Sequence, residues 1–185
     1  MKFNGSYELN SSKKKVWKNL NDIDVLKKCI DGCEEFLYID KNKFDAKIFI
    51  KLGPVNASFQ STIEINNIME EESYEIIAEG NAGQLGNASG KVKIFLNEID
   101  KITVLNYEAD TRINGRIAQL GSRLIDGSVK KNTDLFFQNF SKILNEDANI
   151  IVNDKKKNII IKRVKVLICL ILLFLIILFL GLYVR

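Results

Sequence analysis

Cys29 and Cys33 form a C-x3-C pair, the only thiols before the apolar C-terminal stretch that holds Cys169. Two thiols are the start of a metal site or a redox couple. A structural zinc site takes four ligands, however, and histidine is absent from all 185 residues. A disulfide is disfavoured in a reducing compartment, so the pair reads as packing. The missing histidine also excludes Ser-His-Asp and Cys-His catalysis within this chain and removes the commonest general base. Glu64, Glu79 and Glu108 are isolated acids that could face a cavity, but no carboxylate pair stands out for acid/base work. The Gly80–Gly90 stretch lacks the Lys-Ser/Thr ending of a phosphate loop and the G-x-G-x-x-G register, and reads as a hairpin with bulges. Arg112, Arg116 and Arg123 remain; Arg116 and Arg123 stand seven apart, which puts them on one face of a helix. They serve either solvated ion pairs with Glu108, Asp110 or Asp126, or docking to an acidic partner surface. The sequence therefore assigns no catalytic residue, no metal ligand and no cofactor.

The elements that must position these residues follow from hydrophobic period. Lys2–Asn10 suits a strand. Asn10-Ser11-Ser12 offers a helix cap before Val16, Trp17 and Leu20 at helical spacing, and a second short helix covers Asp24–Cys29 before the Asp31-Gly32 turn. From Glu34 to Thr111 the period becomes two, as in Phe44-x-Ala46-x-Ile48-x-Ile50-x-Leu52 and Val92-x-Ile94-x-Leu96. Such alternation predicts antiparallel strands with one covered and one wet face. Breaks at Asp40–Asn42, Gly53-Pro54, the exposed Glu70–Glu72 turn, Gly80–Gly90 and Asn97–Lys101 give six strands, about seven with the first. From Gly115 to Leu144 the period returns to 3.6, predicting one helix of seven or eight turns. Gly121 and Gly127 inside it, each costing about 1 kcal/mol relative to alanine, mark either close approach to the sheet or ligand space, or are simply tolerated.

This order predicts an α+β helix-grip fold, a curved antiparallel sheet of about seven strands around a long last helix. The groove between them is a usual place for an apolar ligand. The candidate lining is Phe59, Ile63, Ile76, Val92, Ile94, Leu105 and Tyr107 from strands, with Ile117, Leu120, Gly121 and Leu124 from the helix. The Phe136, Phe137 and Phe140 cluster reads as core.

Charge divides the chain. Seven of the 27 basic residues and one of the 23 acidic ones lie from Asn153 onward, which leaves the first 152 residues at a net −2. The formal charge of +4 is thus a property of the tail and not a nucleic-acid footprint. Val166 to Val184 is 19 residues without a charge, all Leu, Ile, Phe or Val except Cys169, Gly181 and Tyr183. As a helix it spans about 28 Å, close to the hydrocarbon thickness of a bilayer, with Leu175 near its middle. Six Lys/Arg precede it and only Arg185 follows, so the positive-inside rule places the N-terminal part in the cytoplasm. The expected organisation is a helix-grip domain over 1–144, a basic linker over 145–163 and a single-pass transmembrane tail anchor over 164–185. No apolar leader is visible at the N-terminus.

Taken together, the residues resemble the family of the carbon monoxide dehydrogenase G subunit, within the START-like (SRPBCC) helix-grip superfamily. The resemblance covers about residues 1–144. It is carried by Val16-Trp17-x-x-Leu20, Leu26-x-x-Cys29-x-x-Gly32-Cys33-Glu34, Gly53-Pro54-Val55 before Phe59, and the series Gly80, Gly83, Gly86, Ala88, Gly90. It ends with Gly115-Arg116-Ile117-Ala118-Gln119-Leu120-Gly121-x-Arg123-Leu124-Ile125 and the phenylalanine cluster. Ile30-Asp31 stands where the family usually has a proline beside the glycine. The resemblance implies an accessory protein, not an enzyme, that brings a molybdenum hydroxylase of the carbon monoxide dehydrogenase type to the membrane. The groove together with the apolar tail suggests a membrane lipid or quinone as ligand, and the charge distribution argues against nucleic acid as partner. Two alternatives stay open: a tail-anchored carrier of hydrophobic ligands unrelated to a dehydrogenase, and a small START-like enzyme.

Overall fold

The structure, a computed structural model, describes residues 1–146. The expected linker beyond residue 146 and the apolar segment with Val166, Leu175 and Val184 lie outside the described residues. Among the described residues no helix is long and apolar enough to cross a membrane.

The chain begins with β1 (Lys2–Leu9), α1 (Lys13–Leu20) and α2 (Ile23–Cys29). Asp22 starts α2 with its carboxylate, which accepts from the backbone N–H groups of Asp24 at 2.9 Å and Val25 at 3.3 Å. Six strands follow: β2 (Cys33–Asp40), β3 (Lys43–Leu52), β4 (Val55–Met69), β5 (Ser73–Asn81), β6 (Asn87–Ile99) and β7 (Ile102–Asn114). They form one antiparallel sheet in the order β1-β7-β6-β5-β4-β3-β2. The final helix, α3, runs over 122–146.

Strand ends are tighter than the composition suggests. Only Asp100 and Lys101, both at positive φ, turn β6 into β7, so the expected break at Asn97–Lys101 shrinks to two residues. Gly80 and Gly90 are strand residues, paired with Ala88 and Ala78, and the chain reverses through a 3-10 turn at Gly83–Leu85.

The helix expected from Gly115 begins seven residues later. Asn114 ends β7, Ala118–Leu120 form a 3-10 turn, and Gly121, at φ 82°, sets the reversal that opens α3. The cause is a backbone-to-backbone contact between two turns. A Cβ on Gly86 would sit 2.0 Å from the Asn114 carbonyl oxygen, and one on Gly115 would sit 2.6 Å from the Gly86 Cα. The Ile117 N–H then donates to the Leu85 carbonyl at 3.0 Å. The apolar residues from Ile117 to Leu120 therefore sit at helical spacing without belonging to the long helix. Gly121 lies outside the helix. Gly127 lies inside it, and a Cβ there would meet nothing within 4 Å, so neither glycine marks a close approach to the sheet.

The core is split in two. One cluster gathers Leu9, Val16, Leu20, Cys29, Leu96, Leu105, Phe137, Phe140 and Leu144, joining α1, α2, three strands and the C-terminal half of α3. The other joins Leu52, Ala57, Phe59 and Ile117, beside the β3–β4 hairpin and the turns before α3. The two share no residue.

Candidate ligand-binding cavity

Between these clusters the sheet and α3 frame a cavity of about 630 Å³ that is partly open to its surroundings. Its shape follows from side-chain size along the inward-facing rows. Ser61 pairs with Gly80 and Gly80 with Ala88; Ala78 pairs with Gly90 and Gly90 with Thr111. These small residues hollow the middle of the sheet, while Phe59 and Leu52 at one end and Leu20, Leu105 and Phe137 at the other close it. Ile125, Val129, Thr133 and Phe136, recurring every three or four residues, present α3 as the opposite wall. Leu20, Ile23, Leu26 and Ile30 from α1, α2 and the following turn complete it.

Among the described residues no Asp, Glu, Lys or Arg lines the cavity. A charged ligand would leave water for hydrocarbon with no counter-charge, which is strongly unfavourable. The polar lining is sparse: Asn21, Ser61, Ser89, Thr111, Thr133, Tyr74 and Tyr107. Thr133 donates to the Val129 carbonyl at 2.8 Å and Thr111 to the Met1 carbonyl at 3.3 Å. Tyr74 is buried, and burial pushes its phenol well above the ordinary tyrosine range, so the hydroxyl keeps its proton.

A polar groove of about 550 Å³ runs between β1 and α3 and shares Phe3, Tyr107 and Val129 with the cavity. Here the Tyr7 hydroxyl donates to Asp134 at 2.7 Å, and Lys130 pairs with the other carboxylate oxygen at 2.9 Å. The Tyr7 ring stacks on Phe137 at 3.9 Å between centroids. The Tyr7 hydrogen bond, reinforced by Lys130, holds the Asp134 carboxyl below its ordinary value.

Eight of the residues expected around a ligand line the cavity: Phe59, Ile63, Ile76, Val92, Ile94, Leu105, Tyr107 and Ile117. Leu120, Gly121 and Leu124 do not. Leu120 packs against the second core cluster, Gly121 is an exposed turn residue, and Leu124 lies over Gly53 with 42% of its surface exposed. All three follow from a helix phase that starts too early. For the same reason Arg116 and Arg123 share no helix face: Arg116 sits in the turn before α3 and Arg123 in its first turn. Both are exposed and neither makes an ion pair among the described residues. Sequence reasoning missed Tyr74 and the apolar residues of α1 and α2. Tyr74 shares its face with Ile76 by strict alternation, and that signal was available.

Cys29 is fully buried in the first core cluster, where burial pushes its thiol up to about 11. Cys33 is half-buried and its thiol is also raised, and both are free. Among the described residues no three Cys, Asp or Glu side chains converge as metal ligands.

No curated protein matches this chain. Solved structures do. A conserved protein from Geobacillus kaustophilus is 29% identical with a TM-score of 0.75, the match covering 79% of this chain and 96% of that one. The match spans nearly all of that protein, and in this chain Met1–Asn145 form a compact unit by their own contacts. A START superfamily protein from Mycobacterium smegmatis shares 8% identity at a TM-score of 0.62, covering 78% and 97% of the two chains. The Zhui aromatase/cyclase from Streptomyces sp. R1128 shares 12% at 0.57, covering 80% and 95%. The last two establish the START-like fold alone. The family model of the carbon monoxide dehydrogenase G subunit (CoxG) matches residues 5–145, the span that holds both core clusters and, but for the first residues of β1, the sheet and the cavity. With that match over most of its length, the chain belongs to the CoxG family.

Proposed function

We propose that this protein is a non-catalytic carrier of an uncharged lipophile, held at the cytoplasmic membrane by its C-terminal apolar segment and serving a molybdenum hydroxylase of the carbon monoxide dehydrogenase type. One observation carries the ligand class: a cavity of about 630 Å³ with no charged side chain in its wall among the described residues. That volume is in the range of small-molecule sites. A quinone is a molecule of this description, both soluble in a bilayer and useful to a redox enzyme. A phospholipid headgroup or a fatty-acid carboxylate would find no counter-charge inside.

The membrane reading rests on Val166–Val184 and the Lys/Arg run before it. The dehydrogenase reading rests on family membership. Arg116 and Arg123, exposed near the start of α3, are the candidate contacts for an acidic partner surface. A catalytic role has no comparable support, since among the described residues the cavity wall offers no carboxylate, amine or thiol for acid/base or nucleophilic work.

The experiment is fractionation of the full chain and of a chain lacking residues 164–185. The full chain should stay with membranes through an alkaline carbonate wash, and the truncated chain should appear in the soluble fraction together with its partner enzyme. Organic extraction of the purified full chain followed by mass spectrometry should yield a neutral lipophile. A full chain that washes off defeats the anchor. A partner that never co-fractionates defeats recruitment and leaves a plain lipophile carrier.

A further inference from the structure

Among the described residues that are buried and line the cavity, Tyr74 alone carries a polar side chain. It is 6% exposed, and its hydroxyl makes no hydrogen bond among the described residues. No buried side-chain oxygen or nitrogen among those residues is sealed in without a partner, so this hydroxyl keeps some accessible surface on a residue that lines the cavity. Phenylalanine would fill the same wall without that polar atom. A hydroxyl kept in an apolar chamber with no protein partner is unfavourable unless something in the chamber bonds to it.

We propose that Tyr74 is the polar anchor of the cavity, donating a hydrogen bond to a carbonyl, ether or hydroxyl oxygen of an otherwise hydrocarbon ligand. The assignment rests on the reading of the cavity as a site for an uncharged lipophile. Three features support it. Trp17 of α1 meets the Tyr74 ring edge-on, at 5.5 Å between centroids and 71° between planes, which restrains the ring in the wall. Burial keeps the phenol protonated, so it donates at any physiological pH. The other hydroxyls of the wall are less suited: Thr111 and Thr133 donate to backbone carbonyls, and Ser61, Ser89 and Tyr107 are half-buried. The ligand is thereby ordered end to end, with its oxygen toward Tyr74 and its hydrocarbon toward the hollow formed by Ala78, Gly80 and Gly90.

The test uses residues 1–146 and two matched probes. One is 6-propionyl-2-(dimethylamino)naphthalene, whose emission moves to the red when its carbonyl accepts a hydrogen bond. The other is the propyl analogue, which lacks the carbonyl. The wild-type domain should bind the carbonyl probe about fivefold more tightly than its analogue, the usual scale of one neutral hydrogen bond. Tyr74→Phe should abolish that preference and move the bound emission to the blue. Its affinity for the analogue and its melting temperature should be unchanged or raised. Ser89→Ala should keep the preference. Equal binding of both probes by the wild type, or a preference that survives in Tyr74→Phe, overturns the anchor while leaving the lipophilic site standing. Failure of both probes to bind overturns the site as well.

Discussion

Burial decides what Cys29 does. It lies with Leu9, Val16 and Phe140 in the first core cluster, and its thiol, raised to about 11, is almost entirely protonated at neutral pH. Thiolate is the nucleophile, so Cys29 should resist iodoacetamide at pH 7.5 until the domain unfolds. Intact-mass spectrometry over a labelling time course checks this; rapid native labelling at Cys29 would contradict the packing. Asp134 carries the opposite shift. Because Tyr7 and Lys130 hold its folded-state value below the ordinary 3.8, its contribution to stability is complete above that value and is lost as pH falls through the lower folded one. Tyr7→Phe should therefore destabilise the domain at pH 7 but make progressively less difference below about pH 4. Urea midpoints of the two proteins across the acid range measure it. At this scale much of the site was legible. Inward strand residues such as Ile63, Ile76 and Ile94 declare themselves by alternation, because one face of each strand is dry. The Tyr7–Asp134 pair was not legible, since 127 residues separate its members and only the folded sheet brings β1 against α3.

At the scale of elements, the hollow comes from strand pairing. Ala78 lies between Ile63 of β4 and Gly90 of β6, and its methyl group faces the cavity. In a filled core, Ala78→Phe would cost about 1–3 kcal/mol through overpacking. Here the ring has a chamber to enter, so the cost should stay below about 1 kcal/mol while binding of a lipophilic dye is lost. Denaturant unfolding and dye titration report the two effects, and a severe loss of stability would mean the space is not there. The strands were readable to within a few residues, but the start of α3 was not. From Gly115 to Ile125 the apolar residues keep helical spacing, and nothing local distinguishes a turn from a first helical turn. What breaks the helix is a contact distant in sequence, the Gly86 and Gly115 backbones pressed together, with Gly121 reversing the chain afterwards. That one displaced boundary took Leu120, Gly121 and Leu124 out of the cavity and separated Arg116 from Arg123.

Across the whole molecule, the sequence divides by charge and the described domain divides by packing. All of the positive excess belongs to residues beyond 152, whereas the domain holds two apolar clusters with no shared member. A chain that packs two plugs and leaves the middle open has given up core contacts it could have made. A hydrocarbon-walled chamber that excludes water is molar volume surrendered on unfolding. Hydrostatic compression should thus denature the unliganded domain well before the loaded one, with the emission of Trp17, the chain's single tryptophan, as the gauge. Identical transition pressures for the two would mean that water already occupies the room kept for a guest.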